Sequence, residues 1–161
     1  MISNIKMKKL INQVSEVENS LYSKVNIESL KKICFPSFKR VYDCVVISDK
    51  ETDELEASFE KAIRINQDKT GYEANKSETC ISHFMNSSDN GLPELLHIAL
   101  LIVPIWRVQI SRLYMESQIC FIITCNEEEV ILRYHLVRKE EPNWLADDLE
   151  KYAEPVGYIV F

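Results

Sequence analysis

Glycine is scarce in this sequence: Gly71, Gly91 and Gly157 are the whole supply, too dispersed to build a phosphate-cradling loop or a dinucleotide-binding turn. Nucleotide cofactors held in those ways are excluded, as is a glycine-containing acyl-CoA loop of the acetyltransferase kind. No run reaches the roughly 18 to 20 apolar residues that span a bilayer, and the longest, residues 95–106, carries His97 and Pro104. The opening "MISNIKMKKLINQVSEVENS" has lysines but neither the apolar stretch nor the small-residue cleavage site of a secretory signal, so a cytoplasmic protein without a membrane partner is expected. Five cysteines, odd in number and mostly inside apolar runs, fit reduced residues acting as small hydrophobes. An excess of basic residues, which phosphate neutralisation requires, is missing too. With 19 Lys and Arg against 25 Asp and Glu, the net charge of −6 opposes direct binding to nucleic acid.

What remains is an ordinary globular composition, 46% hydrophobic and 27% charged. At 161 residues the chain is expected to form a single α+β domain over residues 1–161, burying roughly 70% of its unfolded surface. Leu10, Val14, Val17 and Leu21 recur at helical spacing and predict an amphipathic helix over residues 3–23. The stretch "VNIESLKKICFPSF" reads equally well in more than one way, with a break at Pro36. "RVYDCVVI" suits one strand over residues 40–47. "SDKE" resembles a capping box with Ser48 at the cap, opening a helix whose buried face is Leu55, Phe59, Ala62, Ile63 and Asn66 and whose stop is Gly71. Residues 72–91 are mainly polar and read as loop, with "TCISHFM" as a short strand or a turn of helix.

"LPELLHIALLIV" predicts a short apolar helix with Pro93 in its first turn and Pro104 beyond its end. From Ile105, Trp106, Val108 and Ile110 alternate with Arg107, Gln109 and Ser111, a period-two pattern that predicts a strand. "SQICFIITC" suits a strand inside a sheet, and "VILRYHLV" one with Val130, Leu132, Tyr134 and Leu136 on the core face and Arg133 and His135 on the other. The expected architecture is therefore an antiparallel meander in the C-terminal half packed against several helices. "PNWLADDLEKY" predicts a short helix with Leu145, Leu149 and Tyr152 inward, and "VGYIVF" a last strand.

The two central strands are joined by "NEEE". A four-residue hairpin loop around a type I turn needs no positive φ and no glycine, so geometry permits three glutamates there. Electrostatics does not favour them, and they serve either as a solvated tip that discourages edge pairing or as part of a docking surface. Acids recur in groups: Asp49, Glu51, Asp53, Glu54 and Glu56 around the second helix, and Asp147, Glu150 and Glu154 as a stripe preceded by Glu140 and Glu141. If the hairpin tip and the stripe share one face, their field attracts a cationic protein.

Chemical signatures are weak beside this. Cys80 and His83 have the spacing of a metal-binding pair, but no second pair follows, and no metal or cofactor is expected. Cys120 and Cys125, an odd number apart, face opposite sides of a strand. A Cys–His nucleophilic pair drawn from Cys34, Cys44 or Cys80 with His97 or His135 has nothing to select it. His97 reads as a hydrogen-bonded core residue and His135 as a polar-side one. Trp106 and Trp144 read as anchors of the core or of a helix.

An acidic α+β chain in which "CFIITCNEEEVILRYHLV" is followed by "NWLADDLEKY" resembles the immunity proteins of bacterial polymorphic-toxin and contact-dependent growth inhibition systems. That resemblance implies a non-catalytic protein that binds a cognate toxin domain and blocks its active site or substrate entry. The toxin is expected to be basic and a nuclease. In this reading Glu127, Glu128, Glu129, Asp147 and Glu150 bind the partner. A small Cys- or His-dependent hydrolase and an acidic regulatory adaptor are the alternatives.

Overall fold

The computed structural model describes residues 1–14, 17, 27–66, 68–85, 91–115 and 117–161. In chain order the elements are β1 (Ile2–Ser3), α1 (Ile5–Val14), α2 (Ile27–Cys34), β2 (Phe38–Val41), β3 (Cys44–Ile47), α3 (Thr52–Asn66), α4 (Lys69–Lys76), β4 (Thr79–Cys80), α5 (Leu92–Leu113), β5 (Ile119–Cys125), β6 (Val130–Leu136) and β7 (Val156–Val160). The architecture is α+β. Five antiparallel strands form one sheet in the order β1-β7-β5-β6-β4, and β2 and β3 form a separate hairpin.

β5 and β6 pair across the expected four-residue loop, from Ile119 opposite Leu136 to Cys125 opposite Val130. One face of the sheet, with Phe121, Ile123, Leu132 and Tyr134, packs into the main core together with α1, α2 and α5. The other, with Cys120, Ile122 and Val156, is covered by Leu145 and Leu149 of the C-terminal segment, so Cys120 and Cys125 do lie in different cores. β1 lies so close to β7 that a Cβ on Gly157 would sit 2.8 Å from Ser3 Cβ, and only glycine fits there.

The expected strand after Pro104 does not form. Leu92–Leu113 is one helix running through the proline, with Leu95, Leu96, Ile98, Ala99, Ile102, Val103, Trp106 and Ile110 buried. Trp106 and Ile110 are i, i+4 partners on that buried face, whereas Val108 is 53% exposed, so the alternation was a helical stripe sampled at two coincident points. The helix is long and apolar enough to cross a membrane by length and composition, and here it packs under the sheet as the centre of the core.

Other local readings shift as well. Residues 40–47 hold a hairpin rather than one strand. α3 begins at Thr52, and Ser48 accepts a turn hydrogen bond from Lys50 N instead of capping it. Gly71 does not stop that helix, because Asp68 caps a separate α4 in which Tyr72, Glu73 and Ala74 are buried. "TCISHFM" contains both expected forms, β4 followed by a 3-10 turn at Ile81–Phe84. The C-terminal helix reduces to one 3-10 turn, Leu149–Lys151, where the Asp148 side chain accepts from Glu150 N. Of the helix expected over residues 3–23, Ile5–Val14 forms; residues 15–16 and 18–23 lie outside the described residues, as do residues 86–90 of the polar loop.

Candidate partner-binding surface

The three-glutamate loop is organised by the residue before it. Asn126 Oδ1 accepts from Glu128 N at 3.0 Å and Glu129 N at 2.7 Å, an Asx-type turn, and Asn126 N donates to Glu129 O at 3.0 Å. Tyr42 is the one non-glycine residue with positive φ among the described residues, so the loop is built as expected without a left-handed position. Glu127 and Glu128 are exposed at the tip, while Glu129 is half-buried and accepts from Asn126 Nδ2 at 3.2 Å.

The remaining acids are scattered, and two of them complete helix N-termini. Glu150 accepts from Ile5 N at 2.9 Å, beside Asn4, whose Oδ1 accepts from Met7 N at 2.9 Å. Glu141 accepts from Lys69 N at 3.1 Å, Thr70 N at 2.7 Å and the Thr70 hydroxyl at 2.6 Å, while Asp68 accepts from Gly71 N. Each helix thus has a local cap and a distant glutamate satisfying the N–H groups that no helix can satisfy internally. Despite its partial burial, those hydrogen bonds hold the Glu141 carboxyl below the usual carboxylate value. Asp147 borders a cavity shared with Gln118, Val137 and Val160, which stand at the far end of β5, β6 and β7 from the hairpin tip. Seven residues of strand separate the two ends by roughly 20 Å. The structure therefore brings Glu127, Glu128 and Glu129 together and sets Asp147 well apart from them.

A second acidic surface lies near the far end of β6. β2 and β3 pair up to Val41 opposite Cys44, leaving Tyr42 and Asp43 as a two-residue turn. Such a turn demands positive φ, the usual place for glycine, yet Tyr42 occupies it at φ 51°. The conformation is held on both sides: Arg40 Nε donates to Tyr42 O at 2.8 Å, Arg138 Nη2 donates to Asp43 O at 2.9 Å, and the Asp43 carboxylate pairs with Lys69 at 2.7 Å. The Tyr42 ring rests on Phe59 at 5.0 Å between centroids and is still 49% exposed. Contact with the protein, then the charges of Glu56 and Glu60, push its phenol above the ordinary value. Asp53, Glu56 and Glu60 follow i, i+3, i+7 spacing on α3, an acidic stripe beside an aromatic ring.

Beneath this turn the hairpin is joined to the sheet by side chains. Glu73 is fully buried; its Oε1 accepts from Val45 N at 2.8 Å, and its Oε2 from Leu136 N and Arg138 Nη1, both at 2.8 Å. Tyr134 Oη donates to Val45 O at 3.0 Å. β3 is thereby fastened to β6 through Glu73 and Tyr134. Burial pushes the Glu73 carboxyl up, opposed by Arg138 and the backbone donors. Burial also disfavours the Arg138 charge, but the bond to Glu73 outweighs it and leaves Arg138 raised.

On the covered face, Cys120 and His135 are directly opposite one another and line a cavity of about 220 Å³ with Trp144, Asp147 and Tyr158. His135 is buried, not on a solvated side as expected. Its Nδ1 lies 3.0 Å from Leu136 O, and since a carbonyl only accepts, Nδ1 carries the proton. Burial lowers the His135 pKa and pushes the Cys120 thiol up to about 12, so both groups are held neutral. Trp106 is a core anchor as expected, and Trp144 stacks under the Arg133 guanidinium at 5.3 Å. His97 is not hydrogen-bonded through Nδ1 among the described residues.

Tyr42, Glu73 and Arg138 escaped the sequence reading. "YD" between Val41 and the run "CVVI" is a usable turn signal, whereas Glu73 sits in a polar run whose burial depends on a partner distant in sequence.

Taken together, these features define an α+β protein with a fastened hairpin turn beside an acidic helix. The chain belongs to the Uncharacterized protein PM0498 family, which it matches over residues 2–160. No curated protein and no solved structure matches it.

Proposed function

We propose that the protein acts by stoichiometric binding of a basic protein partner, and that this partner is a bacterial toxin domain of the nuclease class, as in the immunity proteins its sequence resembles. The observation that carries the reading is Tyr42, a half-exposed aromatic ring on a glycine-like turn, bordered by Glu56 and Glu60. Binding energy at protein interfaces concentrates in such rings, while a charged rim accelerates encounter and sets register. Glu56 and Glu60, like charges at i, i+4, weaken an isolated helix by a few tenths of a kcal/mol, a cost that a cationic partner offsets. Glu127 and Glu128 at the other end of β6 add long-range attraction. Glu150 is engaged by α1 and contributes charge rather than a free docking group.

Calorimetric titration against basic nuclease-toxin domains from the same genome tests this. Tyr42→Asn, which tolerates positive φ, is expected to weaken the complex at least about tenfold with circular dichroism unchanged. Joint reversal of Glu56 and Glu60 to lysine is expected to slow association at low salt. A complex indifferent to both changes overturns the reading.

The hydrolase reading rests on Cys120 facing His135 across the cavity wall. A thiol raised to about 12 is a weak nucleophile at neutral pH, and the binding reading is preferred.

A further inference from the structure

The Cys80–His83 pair gains a third donor in the folded protein. β4 ends at Cys80, and the 3-10 turn Ile81–Phe84 brings His83 back beside it. β4 pairs with the start of β6, Cys80 opposite Ile131, so Glu129, the last residue of the hairpin loop, stands next to that turn. Cys80 Sγ, an imidazole nitrogen of His83 and a carboxylate oxygen of Glu129 all lie within 4.8 Å of one another.

We propose that these side chains form a binding site for a divalent metal ion, Zn²⁺ by the chemistry of the donors. A sulfur and an imidazole nitrogen select against Mg²⁺ and Ca²⁺, which take oxygen ligands, and thiolate, imidazole and carboxylate are the three ligand types zinc uses. Tetrahedral bonds of about 2.3 Å to sulfur and about 2.0 Å to nitrogen and oxygen place ligand atoms roughly 3.3 to 3.6 Å apart. Closing from the observed spacing takes about 1 Å, which side-chain rotation of the exposed His83 supplies.

Supporting groups are already in position. Ser82 Oγ lies 3.0 Å from Cys80 Sγ, where its hydroxyl can donate to a thiolate. Asn126 Nδ2 donates to Glu129 Oε2 at 3.2 Å, leaving Oε1 for the ion. Outer hydrogen bonds of this kind orient ligands and raise metal affinity. Glu127 and Glu128, exposed on the same loop, add negative potential that draws a cation to the tip. Three protein ligands leave a fourth position for water. A bound ion would clamp the β5–β6 loop to the turn after β4, a role independent of the Tyr42 surface.

The test uses the reduced full chain, stripped of metal with a chelator and titrated with Co²⁺ and then Zn²⁺. One equivalent of Co²⁺ is expected to produce a sulfur-to-cobalt charge-transfer band and the intense visible absorption of tetrahedral cobalt, both removed by Zn²⁺ and untouched by Mg²⁺. Cys80→Ser should abolish the charge-transfer band. His83→Ala and Glu129→Gln should each lower Zn²⁺ affinity by more than tenfold, and Ser82→Ala or Asn126→Ala by about tenfold. His83 is exposed, so its variant folds whatever the fate of the cysteine variant. No stoichiometric binding, or binding unchanged in Cys80→Ser and His83→Ala while Cys120→Ala removes it, overturns the proposal.

Discussion

Arg138 reaches the carboxylate of Glu73 at 2.8 Å, and that carboxylate has no exposure to solvent at all. Its three hydrogen-bond partners, Val45 N, Leu136 N and Arg138 Nη1, are all donors, so the site is shaped for two bare oxygens. The pair therefore closes the seam between the β2–β3 hairpin and β6 and also supports the turn that presents Tyr42, since Arg138 Nη2 binds Asp43 O.

Glu73→Gln keeps the shape of the side chain and fails on donors. Whichever way the amide turns, its NH₂ faces a backbone N–H, and Arg138 loses its charged partner. Removing one member of a buried pair typically costs about 3 to 5 kcal/mol. Urea unfolding of Glu73→Gln should show a fall of that order, and Arg138→Met a comparable one. The double variant should lose less than the sum of the two singles, because each alone strands the other. Strict additivity would mean the pair is not a unit.

Glu141 gives a dependence on pH. Its carboxyl is held below the usual glutamate value of 4.5 by Thr70 and by the Lys69 and Thr70 N–H groups, against partial burial. With the folded value depressed, the unfolded chain binds the proton first as pH falls. The stabilisation is complete above 4.5 and is lost as pH drops through the folded value. Glu141→Ala removes the acceptor of two backbone N–H groups and the Thr70 hydroxyl at the start of α4 and should cost about 1 kcal/mol at neutral pH, in the range of a lost cap. The stability difference between wild type and Glu141→Ala, followed by urea titration into acid, should shrink below pH 4.5. A difference independent of pH would remove the charge from the explanation.

The strands were legible where one physical signal dominated. "CFIITC" and "VILRYHL" are the apolar and alternating patterns of a sheet's centre, and the loop between them needed only Asn126 to close without glycine. Pro104 does not end α5, because proline marks a helix end only when the chain has nothing to gain by continuing, and Ile110 and Trp106 gain full burial. No apolar pattern announces α4, because its buried face contains Glu73, whose burial is made tolerable by Arg138 from another part of the chain. The same limit governs the sites. The acids at residues 127–129 are neighbours in sequence and stay together, but Glu141 and Glu150 are drawn to helix N-termini that no linear pattern announces. Glu129 meets Cys80 only because β4 pairs with β6.

Trp106 and Gln109 act on the end of another helix. Trp106 Nε1 donates to Ile33 O and Gln109 Nε2 to Cys34 O, each at 2.7 Å, satisfying the last carbonyls of α2 from the side of α5. Trp106→Phe keeps most of the ring that packs edge-on against Phe38 at 5.5 Å but leaves the Ile33 carbonyl without this donor. A loss of about 1 to 3 kcal/mol is expected. Gln109→Ala should cost less, because that bond lies nearer solvent. In both variants hydrogen exchange should accelerate in α2 more than in β5 and β6. Uniform acceleration would show that the two residues support the core at large instead of this helix end.

The cysteines provide a direct comparison of environments within one chain. Cys34, Cys44, Cys120 and Cys125 are buried, and Cys80 is half-buried beside Ser82. Burial raises the thiol pKa of Cys34 and Cys44 and pushes Cys120 and Cys125 up to about 12, so at neutral pH these groups are protonated as well as shielded. A thiol-specific reagent applied to the native protein at neutral pH should label Cys80 first, as one fast phase located by mass spectrometry. The other four should follow at the much slower rate set by local opening, and all five should react together in denaturant. Zn²⁺ should suppress the fast phase and leave the slow ones unchanged. Faster labelling at Cys120 than at Cys80 would instead mark an activated thiol in the cavity with His135, and the balance would move from a binding protein to an enzyme.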